Sequence, residues 1–207
     1  MDYAKCNFEG EKGSSLLTEF FEPSEMKELQ EFLTRLSKYF EKYKKTSDER
    51  ALAIIGASSV ENELDKFLSC WIKDFKNLNN NKELTFSLKV ELAISLKLIP
   101  KKILNAIEPI RKIRNIFAHN FEIDTFEQAK LKEPKTFQML ANKIKLFNCP
   151  VEGDDIKNFQ YLIFMIILCL HVYAQQLVKI QDNIWDSENL NEIVGKVPKF
   201  DIIRILM

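Results

Sequence analysis

The chemically most suggestive stretch of the sequence is IRNIFAHN, residues 113 to 120. Arg114 stands directly before Asn115 and five residues before His119, one of only two histidines in the chain. Imidazole titrates near pH 6.5 and can take or give a proton at neutral pH. A guanidinium offers permanent positive charge to phosphate oxygens and to a pentacoordinate transition state. Together with Asn115, which can hold a hydroxyl or orient the ring, these residues suit phosphodiester cleavage. No metal or cofactor is needed if the nucleophile is a ribose 2′-hydroxyl.

The spacing of the motif constrains how its groups can meet. Five residues of regular helix advance roughly 500°, which leaves Arg114 and His119 about 140° apart around the axis. Asn115 and His119, four residues apart, share a face. Three arrangements would bring the groups together: a histidine beyond a frayed helix end, an arginine that wraps round the helix, or two copies of the helix meeting in one cleft. The competing interpretation is that His119 only caps a helix C-terminus, where a partly cationic ring is favourable.

A carboxylate on an earlier helix is a candidate partner for the motif. Glu61 interrupts an otherwise apolar stripe formed by Ala57, Leu64 and Leu68. A carboxylate in such a row needs a partner, and we expect Arg114 or His119 to supply it. The alternatives are that Glu61 lies at an exposed edge, or that Glu63 or Asp65 is the relevant acid. The second histidine, His171, is predicted to be a hydrogen-bonded core residue.

Charge is balanced overall and uneven locally. The 30 lysines and arginines match 30 aspartates and glutamates, so no whole-molecule field would attract nucleic acid or an anionic membrane. The segment between residues 97 and 119 nevertheless has six basic residues and one acid, whereas the first 31 residues have eight acids and three lysines. Besides Arg114, the basic residues that we expect to hold an RNA backbone are Lys97, Lys101, Lys102, Arg111 and Lys112.

Cysteine usage and hydropathy predict a cytoplasmic protein. Four widely separated cysteines form no C-x-x-C pair, which argues against a zinc site and fits reduced thiols. The longest apolar run, LIFMIILCL at 162 to 170, is too short to cross a hydrocarbon core that needs about 20 helical residues. We therefore expect a buried helix there and no membrane association.

Few glycines and prolines, with long helical periodicities, predict an all-α fold. Helices are expected over 23–45, from a capping box at 46–49 to Trp71, over 85–98, from Pro100, from Pro109 to His119, around 135–146, and from Asp154–Asp155 to about Lys179. The asparagine-rich stretch 77–83 is predicted to be a loop. The expected organisation is an N-terminal arm (1–45) with one amphipathic helix, a helical bundle (46–180) and a C-terminal tail (181–207).

Three blocks of the sequence resemble, in order, the mannitol-operon repressor family: ERALAIIGASSVENELDKFL (49–68), FSLKVELAISLKLIP (86–100) and IRKIRNIFAHN (110–120). That family in turn resembles the HEPN group (higher eukaryotes and prokaryotes nucleotide-binding domains). The resemblance implies a compact antiparallel helical bundle that pairs into a homodimer. The arm before the capping box is an addition to this pattern, and no helix-turn-helix element is evident.

In active HEPN proteins an arginine, the polar residue after it and a histidine line the dimer cleft and cleave RNA without metal. The resemblance carries these roles to Arg114, Asn115 and His119, with Glu61 at the position of a supporting residue on an earlier helix. Three hypotheses stay open. The chain is a toxin- or defence-like endoribonuclease, or a non-catalytic regulator whose motif holds the dimer together. In the third, the arm helix docks a regulatory protein or an antitoxin.

Overall fold

The computed structural model describes residues 23–44, 48–80, 84–147 and 153–185, and these form an all-α bundle without a strand in any of those ranges. The elements are α1 (Pro23–Lys44), α2 (Glu49–Trp71), α3 (Phe75–Asn80), α4 (Phe86–Leu96), α5 (Lys101–Leu104), α6 (Ile107–His119), α7 (Phe126–Lys132), α8 (Pro134–Ile144), a 3-10 turn (Lys145–Phe147) and α9 (Asp155–Trp185).

The long helix α9 is the centre of the bundle. It packs most extensively against α2, and α6 and α8 cover the remaining sides. Every residue from 158 to 170 is buried, which confirms the buried helix expected from the apolar run. By length and composition the segment Asp155–Gln175 could also cross a membrane, but 83% of its apolar window is buried inside the bundle. The core helix of a bundle passes the same test of length and composition, so this segment is only weak evidence for a membrane span.

The contact between α2 and α9 depends on the absence of a side chain at one position. A Cβ added at Gly56 would lie 2.5 Å from Ile163 Cδ1 and 3.3 Å from Phe159 Cε1. Both of those side chains are buried in α9. Gly56 therefore allows α2 and α9 to approach each other closely.

The start of α2 differs from the predicted capping box. The N-cap is Asp48, whose carboxylate accepts from the backbone N–H of Ala51 at 2.9 Å. Glu49 is therefore the first helical residue, and its Oε2 accepts from Phe126 N at 2.5 Å. Thr46, the expected cap, lies outside the described residues. The helix is capped two residues later than predicted, because the Asp48 carboxylate reaches the backbone N–H of Ala51.

Two predicted connections contain helices. Residues 77–80 of the expected loop belong to α3, whose Asn79 donates to Asp65 Oδ2 on α2 at 3.0 Å; residues 81–83 lie outside the described part of the chain. In the region 121–152 the helix α7 was not anticipated. It begins with a capping box in which Thr125 and Gln128 bond reciprocally. The expected helix around 135–146 is present as α8 and the 3-10 turn.

The first and last of the described helices, α1 and α9, both contribute to the core. In α1 the seam residues Leu29 and Leu36 are buried, and Phe32 stacks on His171 of α9 with centroids 3.7 Å apart. Asp154 caps α9 by accepting from the backbone N–H of Ile156 at 2.9 Å, as its position predicted. The helix continues to Trp185, past the expected end near residue 179. The predicted tail from 186 onward lies outside the described residues.

Candidate functional site

Helix α6 presents the motif because its apolar residues fix which side faces the core. Ile110, Ile113 and Phe117 are fully buried, as their spacing predicted. Pro109 stands in the first turn, where a missing N–H costs no helical hydrogen bond, and α5 ends before it. The expected restart of the helix is thereby confirmed. Arg114 and Asn115 are half-buried on the outer side of α6.

The Arg114 side chain turns toward Asn115. Its Nη1 donates to Asn115 Oδ1 at 3.1 Å, and this is the one hydrogen bond that Arg114 makes to the described residues. His119 lies exposed in the last turn of α6, four residues after Asn115 and hence on the same face. This contact joins Arg114 to Asn115 and not to His119, so the three arrangements considered for the motif all stay open.

Arg50, a residue that the sequence did not single out, fixes the end of α6. Its Nη1 donates to the carbonyl of Phe117 at 2.7 Å, and its Nη2 lies within hydrogen-bond distance of the carbonyls of Asn120, Phe121 and Ile123 at 3.1, 2.9 and 2.7 Å. The guanidinium also pairs with Asp124 at 3.1 Å. One side chain from α2 therefore satisfies the Phe117 carbonyl, which the end of α6 leaves without a helical partner, and also contacts three carbonyls of the loop that follows. The only sequence signal was its place in the first turn of a buried helix.

The residues after His119 are held by further side-chain contacts. Asn120 Nδ2 donates to the carbonyl of Ile116 at 2.6 Å, and Lys132 of α7 contacts Asn120 Oδ1. The ring of Phe121 nevertheless remains 89% exposed. The exposed imidazole of His119 and the exposed ring of Phe121 thus lie two residues apart in the chain, and Lys132 contacts the residue between them.

Part of the predicted basic surface is already paired within the chain. Arg111 forms two hydrogen bonds with Glu108, at 3.0 and 2.9 Å, and Lys112 approaches the same carboxylate at 3.6 Å. Glu108 therefore offsets part of the charge that these two residues would present to phosphate. The remaining predicted RNA-binding residues, Lys97, Lys101 and Lys102, are exposed where α4 leads into α5.

Glu61 does have a partner, but the expected one was wrong. Glu61 Oε1 accepts from Lys89 Nζ of α4 at 2.8 Å, and Asp65 Oδ2 accepts from the same Nζ at 2.8 Å. No hydrogen bond joins Glu61 to Arg114 or His119 in the described structure. Helix α4 buries Lys89 and Ala93, while Leu88, expected on its apolar line, is exposed. The ion pair between Glu61 and Lys89 thus links α2 to α4.

Glu63 and His171 form a separate polar contact in the core. Glu63 Oε1 lies 3.2 Å from His171 Nδ1, and Glu63 Oε2 accepts from Lys66 at 2.8 Å. Burial alone would raise the pKa of Glu63, but the hydrogen bonds from His171 and Lys66 outweigh it and hold the pKa below its usual value. His171 is therefore hydrogen-bonded, as the sequence predicted, although it lies at the edge of the core and is only half-buried.

Comparison with known proteins supplies no further assignment: no protein-family model, curated protein or solved structure matches the chain. What the end of α6 does must be inferred from its own residues and geometry.

Proposed function

We propose that the protein is a metal-independent endoribonuclease of the HEPN type that acts as a homodimer, with Arg114, Asn115 and His119 as its site. The observation that carries the proposal is the placement of these three groups. The guanidinium is held at Asn115 by a 3.1 Å hydrogen bond, and the exposed His119 shares the helix face of Asn115. The half-buried Arg114 and the exposed His119 can both be reached from solvent, which supports the proposal.

The chemistry follows from the residue types. His119 takes the proton of a ribose 2′-hydroxyl, and the 2′-oxygen attacks the adjacent phosphorus. The negative charge that develops on the phosphorane oxygens is stabilised by the Arg114 guanidinium, which Asn115 orients. The bond from phosphorus to the 5′-oxygen then breaks and leaves a 2′,3′-cyclic phosphate. The leaving 5′-oxygen takes a proton from a second acid.

A homodimer would provide that second acid. One copy of the motif contains one imidazole, whereas two copies facing each other across a groove supply one group that accepts a proton and one that donates it. In this proposal Lys97, Lys101 and Lys102 hold the RNA backbone beside the site, because exposed ammonium groups neutralise phosphates without reading sequence. An RNA-cutting activity of this kind suits a cytoplasmic toxin or defence protein, restrained by an antitoxin or a regulatory protein.

The test is cleavage of mixed RNA by the purified protein with a chelator present. We expect His119→Ala to lower the rate by about 10²- to 10⁴-fold, the usual contribution of a general acid or base. Arg114→Ala should lower it to a similar extent, whereas Arg35→Ala, which removes an exposed arginine from α1, should leave it unchanged. Equal rates for wild type and His119→Ala, or no cleavage by either across a broad pH range, would contradict the proposal.

The competing proposal is a non-catalytic regulator or scaffold, similar to the mannitol-operon repressors, in which the same motif holds two chains together. The pairing of Arg111 and Lys112 with Glu108 favours it, since this pairing offsets part of the positive charge that would otherwise bind phosphate. It predicts that Arg114→Ala weakens the dimer or lowers the thermal midpoint and leaves cellular RNA intact. Toxicity of the expressed wild type that disappears in His119→Ala, with dimer affinity unchanged, would decide against it.

A further inference from the structure

The ring of Phe121 is exposed although its backbone is held in place. Its carbonyl accepts from Arg50 Nη2 at 2.9 Å, and the carbonyls of Asn120 and Ile123 on either side bond the same guanidinium. Hydrogen bonds from a charged donor are stronger than those between neutral groups. The exposure of the ring is therefore set by a fixed backbone that directs it away from the core.

The exposed residues beside Phe121 in the chain are polar or charged. His119, Glu122 and Asp124 are exposed on either side of it in the chain, and Asn120 is contacted by Lys132. The buried centre of a protein interface is a contiguous apolar patch depleted in charge. A single aromatic ring among polar and charged groups matches instead the way that proteins stack unpaired nucleic-acid bases.

We propose that Phe121 is a stacking platform for one unpaired base, so that the substrate is single-stranded RNA. This inference rests on the proposed function and specifies its substrate. With a base on the ring, the sugar–phosphate chain would pass on the side of His119 and Lys132. The carboxylate of Glu122 disfavours the opposite path, while the charge of Asp124 is offset by Arg50. Duplex RNA offers no free base face and would not use the platform.

Binding of an oligonucleotide that cannot be cleaved tests the platform directly. The probe is a short fluorescein-labelled single-stranded 2′-O-methyl RNA, which has no 2′-hydroxyl nucleophile. We expect Phe121→Ala and Phe121→Leu to weaken binding by about tenfold, since stacking one base on one aromatic ring changes affinity by that order. Phe121→Trp should bind at least as tightly as wild type. The matched control is Leu131→Ala, which removes an 80% exposed apolar side chain from α7 and should change nothing.

Several results would overturn the inference. Phe121→Leu binding as well as wild type would show that an aromatic ring is not needed, and equal losses for single-stranded and duplex probes would show that no base is stacked. The remaining alternative is that the ring lies in a contact between two copies of the chain, and analytical ultracentrifugation of each variant tests it. A dimer weakened by Phe121→Ala, with affinity per dimer unchanged, would make the ring a contact between copies of the chain. Failure of the wild type to bind the single-stranded probe would also refute it.

Failure of the stacking inference and failure of the proposed catalysis are distinguishable. If wild type cleaves RNA and the Phe121 variants bind and cleave as it does, the nuclease stands and the platform is wrong. If no cleavage occurs but binding still depends on an aromatic residue at 121, the platform stands and the protein binds single-stranded RNA without cutting it.

Discussion

Replacement of Lys89 by methionine should destabilise the fold more than replacement of any exposed charged residue. The Lys89 side chain is 5% exposed, and its Nζ lies 2.8 Å from both Glu61 and Asp65, whose side chains are 29% and 22% exposed. Burial would lower the pKa of Lys89, but the hydrogen bonds that its ammonium group donates to Asp65 and Glu61 outweigh burial, so the pKa is raised. Lys89→Met retains the apolar stem and leaves two carboxylates of α2 facing each other without a cation.

The magnitude follows from the geometry of the cluster. Removing one partner of a buried ion pair costs about 3–5 kcal/mol. The side chains of Glu61 and Asp65 are partly exposed, so we place the loss of unfolding free energy at about 3 kcal/mol, at the lower end of that range. For a chain of this size that corresponds to roughly 6–12 °C in thermal midpoint. Because a raised lysine pKa is titrated only above about pH 10, the loss should be constant between about pH 6 and 9.

The assay is urea unfolding of wild type and variant at pH 7. The urea concentrations at the unfolding midpoints are compared, and the dependence of the unfolding free energy on urea (the m-value) should be the same for both proteins. Lys112→Met is the control, since Lys112 makes only a solvent-exposed pair with Glu108 and should change stability by less than about 1 kcal/mol. The triple variant Lys89→Met, Glu61→Gln, Asp65→Asn should recover much of the loss because no charge is left unpaired. A Lys89→Met protein within about 0.5 kcal/mol of wild type would refute this reasoning.

Three further predictions concern other buried groups. Arg50→Ala should cost about 3 kcal/mol and raise amide hydrogen exchange in the loop after α6; unchanged exchange there would contradict the anchoring contact. The lowered pKa of Glu63 means that its contribution is present above the unfolded pKa and lost as pH falls through the folded one. The stability difference between wild type and Glu63→Gln should therefore shrink as pH falls from about 6 to about 3, and a constant difference would rule out the role of His171. Burial raises the pKa of the Cys169 thiol to about 12, so at pH 8 a disulfide reagent should modify Cys169 only after unfolding, and rapid modification in the native state would be inconsistent with its burial.

Local sequence determined the fold class and the orientation of α6. The all-α fold follows from periodicity, and the buried run at 162–170 and the restart at Pro109 follow from residue types acting on their own neighbours. The same periodicity turned Ile110 and Phe117 inward and so left the motif on the outer face. These features were predictable because each depends on residues within a few turns of one another.

Tertiary structure alone decided the partners of the charged groups. Glu61 pairs with Lys89, 28 residues away, and Arg50 reaches carbonyls 67 to 73 residues away. Sequence shows that a carboxylate in an apolar stripe needs a cation, but several cations could serve, and the choice depends on which helices the core packs side by side. The exposure of Phe121 has the same cause, since an apolar residue near a helix end is usually buried and here a guanidinium from α2 holds its backbone at the surface.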